Sequence, residues 1–85
     1  MTNVYVMNDN NNGILGVFTS HKQAFKAFMR IADDLGQKDM KVYWEGETVD
    51  FKPIFFRGHM IQIDFLDRDG DPCYFTIERM KVNHY

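Results

Sequence analysis

Only one stretch of this chain carries a helical period, residues 20 to 36, SHKQAFKAFMRIADDLG, and most of what surrounds it alternates with a period of two. Ala24, Phe25, Phe28, Ile31, Ala32 and Leu35 recur at three- and four-residue intervals and make a single apolar stripe. Ser20 and Gln23 have the spacing of a capping box, in which each side chain satisfies a backbone donor at the helix start. Gly36 supplies a stop, since it can take the left-handed conformation after the last turn. The pattern predicts a helix over 20–35. A lone helix must bury its stripe against something, and the remaining chain offers only strands.

Those strands can be placed. NVYVM alternates Val4 and Val6 against Tyr5 and Met7, a polar loop with Asn12-Gly13 follows, and ILGVFT returns as the second arm of a hairpin. After Gly36, MKVYWEG carries Val42 and Trp44 on one face. TVDFKPIFF reads as a further strand, in which Pro53 cannot donate to a ladder and so argues for an edge or a bulge. Gly58 marks a tight turn. MIQIDFL sets Ile61, Ile63 and Phe65 to one side, and CYFTIERMKV sets Cys73, Phe75 and Ile77 inward. Beyond Ile77 the apolar positions become Met80 and Val82, a change of phase that predicts a bulge near Glu78-Arg79. The expected fold is α+β: an antiparallel sheet of about five to six strands in the order β-β-α-β-β-β-β, with the amphipathic helix packed on one face. No linker, repeat or low-complexity tract divides residues 1–85, which read as a single domain.

Eighty-five residues bury a limited core, and 15% aromatic content supplies much area per residue. Cys73 is the only cysteine, so packing rather than an internal disulfide must hold the fold. MTNVYVMNDN shows no basic segment followed by an apolar run, and the longest apolar runs fall far below the roughly 18 residues that span a bilayer. The expectation is a cytoplasmic protein with no membrane partner. Charge is uneven: residues 1–32 set Lys22, Lys26 and Arg30 against Asp9, whereas residues 33–50 hold six acids against Lys38 and Lys41.

The run DFLDRDGDPCYFTIE first suggests a calcium loop, with Asp67, Asp69 and Asp71 alternating and Glu78 in a twelfth position. An EF-hand loop needs a glycine at its sixth position and flanking helices. Counted from Asp67, the sixth residue is Pro72, and both flanks alternate with period two. A hairpin turning at Asp69-Gly70 accounts for these residues, so no metal site and no cofactor is expected. Cys73 could act as a nucleophile with His21, His59 or His84 as base, but its parity with Phe75 and Ile77 points it inward, where free cysteines are usually inert. No phosphate-binding glycine loop or nucleophile elbow occurs, and Glu45 and Glu47 fit a solvated turn around Gly46. The chain reads as non-enzymatic, with no catalytic residues.

Two surfaces remain as candidates for binding. Lys22, Lys26 and Arg30 stack at four-residue spacing opposite the apolar stripe. They are either a solvated helix face or an electrostatic contact to an acidic protein or to phosphates. Nucleic acid is the less favoured partner, because the net charge is −2 and an acidic segment follows the helix. The segment from Val42 to Phe56 carries apolar residues on both strand faces, among them Tyr43, Trp44 and Phe56. Rings beyond what one helix can cover must pack as core, join two copies in a homodimer, or meet a partner.

The run VYVMNDNNNGILGVFTSHKQAFKAF resembles the opening of small uncharacterised bacteriophage-encoded accessory proteins. The matching residues are Val4, Tyr5, Val6, Leu15, Gly16, Val17, Phe18, Thr19, Ser20 and Ala24, about the first third of the chain. The resemblance implies an accessory protein that binds and inhibits or modulates a host protein, and it carries no catalytic residue across. The expected site comprises Lys22, Lys26, Arg30, Tyr43, Trp44 and Phe56. The alternatives are a nucleic-acid-binding protein using the helix face and a structural homodimer.

Overall fold

The computed structural model describes residues 2–44, 47–49 and 59–82. In chain order these form β1 (Thr2–Asp9), β2 (Gly13–Phe18), α1 (His21–Asp34), β3 (Lys38–Trp44), β4 (Glu47–Val49), β5 (Met60–Leu66) and β6 (Pro72–Val82). The strands make one antiparallel six-stranded sheet in the order β2-β1-β6-β5-β3-β4. The expected α+β architecture and element order are found. Gly46, Pro53, Phe56, Gly58 and His84, on which some sequence expectations rest, lie outside the described residues.

The helix is fixed at both ends by its own residues. Ser20 is extended, and its hydroxyl accepts the Gln23 N–H at 3.2 Å. The Gln23 side-chain oxygen Oε1 accepts the Thr19 hydroxyl at 3.1 Å. At the other end the Gly36 N–H reaches the Asp33 carbonyl and the Gln37 N–H reaches the Ala32 carbonyl, both at 3.0 Å. With Gly36 at φ +73°, these two bonds form a Schellman stop. Between the caps, Ala24, Phe25, Phe28 and Ala32 are buried against the sheet.

The face that receives the helix is built from alternate residues of five strands. Register aligns Tyr5 with Phe18, Met7 with Ile77, Ile77 with Ile61, and Phe75 with Ile63, which in turn faces Val42. Phe28 meets Phe75 edge-on at 5.3 Å and Phe65 at 6.0 Å, while Phe65 and Phe75 stack at 5.6 Å. Such ring pairs add to the burial that dominates a small core.

The bulge expected near Glu78-Arg79 is absent. β6 pairs without interruption with β1 from Phe75 to Val82 and with β5 from Pro72 to Glu78. Alternation continues through Arg79, so Met80 and Val82 stand on the face away from the helix. The change of phase in the sequence has another cause: that second face is itself apolar at this end. Register shifts occur elsewhere, where Met7 and Asn8 lie opposite β2 and between Lys38 and Lys41 of β3. The second admits Asp39 at φ +54°, a conformation that aspartate tolerates better than most residues.

Candidate functional site: the uncovered face of the sheet

With the helix on one side, no element among the described residues covers the other face of the sheet, and register assigns its rows. Toward one end Val17 faces Val6, Val6 faces Glu78, Glu78 faces Met60, and Val4 faces Met80. Val17 is 60% exposed, Met80 47% and Met60 45%, with Val82 exposed beside them. Val6 is buried within this group although no helix among the described residues covers it. The result is an apolar field over β2, β1 and the end of β6, with Met60 of β5 across Glu78 from it. Exposed apolar fields of this kind mark contact surfaces when they are contiguous.

The opposite end of the same face is polar and aromatic. One row runs Asn8, Thr76, Gln62, Tyr43, and the next runs Tyr74, Asp64, Lys41. Two open grooves meet at Tyr74. One, about 580 Å³, has Asp39, Lys41, Tyr43, Asp64, Leu66 and Tyr74 among its lining residues. The other, about 430 Å³, includes Asn8, Gln62 and Thr76. Gln62 Nε2 donates to Asp64 Oδ1 at 3.1 Å, which orients both polar groups across the floor. Tyr43 and Tyr74 offer ring faces and hydroxyls together, the combination that protein interfaces use most.

The residues expected on two surfaces, the basic helix stripe and the aromatic segment, occupy three among the described residues. Lys22, Lys26 and Arg30 are exposed on α1, away from the buried stripe that meets the sheet. Tyr43 belongs to the open face, half-buried at the edge of its larger groove. Trp44 aligns with Ile61 on the helix side and is half-buried, its indole Nε1 enclosed. Phe56 lies outside the described residues. Met60, Tyr74, Met80 and Val82 were not among the expected residues; the change of phase at Met80 was their signal in the sequence.

The aspartate run is a hairpin turn as expected, but it turns at Arg68-Asp69 rather than Asp69-Gly70, since the Gly70 N–H donates to the Asp67 carbonyl at 3.0 Å. Asp67 Oδ1 accepts the N–H groups of Asp69 and Asp71, both at 2.9 Å, and Gly70 takes φ +82°. Carboxylate oxygens of Asp67, Asp69 and Asp71 lie within 4.8 Å of one another, and Asp67 already spends an oxygen on the turn. Arg68 turns back onto the helix: its N–H meets the Leu35 carbonyl at 2.9 Å and its guanidinium donates to the Asp34 carbonyl. The loop therefore anchors the C-terminal end of α1.

Cys73 does not meet a histidine partner within the described residues. His59 accepts the Arg79 N–H through its backbone carbonyl, and the His21 ring packs on Tyr5, which pairs with Arg79. Cys73 lies six residues along β6 from Arg79, roughly 20 Å at about 3.3 Å per residue. Burial pushes its thiol pKa up, and the nearby carboxylates of Asp67, Asp9 and Asp71 push it the same way. A thiol so placed is a poor nucleophile at neutral pH.

Fold and surface together define a small α+β domain in which, among the described residues, the helix covers one sheet face and nothing covers the other. The chain matches no protein-family model, and neither a curated protein nor a solved structure matches it. No helix among the described residues is long and apolar enough to cross a membrane.

Proposed function

We propose that this chain is a non-enzymatic protein-binding module that acts by stoichiometric contact, using the open face of its sheet. The observation that carries the reading is the adjacency, on that one face, of an exposed apolar field around Met60 and Met80 and a grooved tyrosine end around Tyr74. Apolar and tyrosine side chains beside polar groups are what protein interfaces are enriched in. The separation of Cys73 from His21 and His59 supports a role without catalysis. On the resemblance of its first third, the chain is a phage accessory protein working in the host cytoplasm, and its partner is a host protein whose activity it inhibits or modulates.

Affinity capture from host lysate, with mass-spectrometric identification, tests the reading by comparing variants. The parent chain retains a protein in stoichiometric amount, and Tyr74→Ala with Met80→Asp loses it while keeping its thermal midpoint. Lys26→Glu with Arg30→Glu retains it. Capture lost by the helix variant and kept by the sheet variant would move the binding surface to α1.

A further inference from the structure

The two ends of the sheet are protected unequally. Among the described residues β2 and β4 are the terminal strands, so each presents backbone donors and acceptors along one side. Natural sheets guard such edges with charges, proline, bulges or very short strands. β4 is three residues long and carries Glu47, with Glu45 and Asp50 close by in sequence. β2 is GILGVF, six residues with neither charge nor proline, and a register shift against β1 is its only such device. Its side chains are also unusually open: Ile14 is 67% exposed and Leu15 39%, beside the exposed Val17.

We propose that the β2 edge is a self-pairing surface, on which a second copy of this chain adds its own β2 antiparallel to the first. The backbone along an edge calls for an extended strand, and two arguments select a second copy. A two-fold axis sets the same patch against itself. The uncharged β2 accepts such pairing without repulsion, whereas pairing at β4 would bring together two copies of the strand that carries Glu47. Antiparallel pairing about that axis also leaves both open faces on the same side. The apolar field at Val17 of one copy then continues into that of the other, and the partner-binding face becomes bivalent. One strand pair with a few side chains falls short of the roughly 1,600 Å² of a standard stable interface. The dimer is therefore weak and dissociates on dilution.

Sedimentation equilibrium over about 1 to 500 µM tests this without any partner, and the range brackets the affinities of small interfaces. The parent chain shifts reversibly from monomer toward dimer. Ile14→Lys with Val17→Lys remains monomeric, while Thr48→Lys on the opposite edge and Met80→Asp on the open face still dimerise. Amide exchange of residues 13–18 in the parent slows at high concentration, a reading that stands even if the double-lysine variant folds poorly. A parent chain monomeric throughout the range overturns the proposal. So does a dimer that survives the β2 substitutions or is lost in Met80→Asp alone.

Discussion

Gly36 stands where two constraints meet. Its φ of +73° is one that a side chain adopts at a cost of about 1–2 kcal/mol, and a Cβ there would lie 2.9 Å from Arg68 Cβ. Gly13 shares the conformation at φ +79° but has nothing within 4 Å of such a Cβ. Gly13→Ala therefore costs about 1 kcal/mol from backbone conformation alone. Gly36→Ala costs more, because the Arg68 hairpin must also withdraw from the helix terminus. Urea unfolding of the two variants checks this, and equal losses would show that the Arg68 contact contributes nothing. The stop at Gly36 was legible because glycine after an apolar stripe is a local signal. Its second role was not, since Arg68 arrives from a loop 32 residues away and no local pattern announces it.

At the scale of elements, α1 and the central β5–β6 hairpin share their rings. Phe28 touches both Phe65 and Phe75, so it joins the helix to β5 and β6 at once. Phe28→Ala removes a fully buried side chain and should cost about 3–5 kcal/mol, a large part of the roughly 5–15 kcal/mol that holds a small domain folded. A calorimetric midpoint close to that of the parent would mean the core repacks around the gap. Helix, hairpins and the inward set Ile61, Ile63, Phe65, Phe75 and Ile77 were all legible, because a strand with one buried face writes its orientation into alternate positions. The same rule explains the failure at Glu78-Arg79. Alternation identifies a face only when the other face is polar, and at this end of β6 Met80 and Val82 make the outer face apolar. The expected bulge was an apolar outer face read as a defect.

For the molecule as a whole, the account depends on asymmetry between the two faces of one sheet. Sequence could say that a single helix covers one side. It could not say where the surplus apolar residues gather, because Val17, Met60 and Met80 come from three strands well separated in sequence and are neighbours only through strand order. Methionine oxidation reads that asymmetry directly, since sulfoxide forms where the thioether meets solvent. Met60 and Met80 lie on the open face at 45% and 47% exposure, while Met7 is 1% exposed beneath the helix. Timed oxidation of the native chain by dilute peroxide, resolved by peptide mass spectrometry, should modify Met60 and Met80 at least about tenfold faster than Met7. Addition of a captured partner should slow those two sites and leave Met7 unchanged. Met60 and Met80 as slow as Met7 in the free protein would show the second face already covered, and would contradict the account.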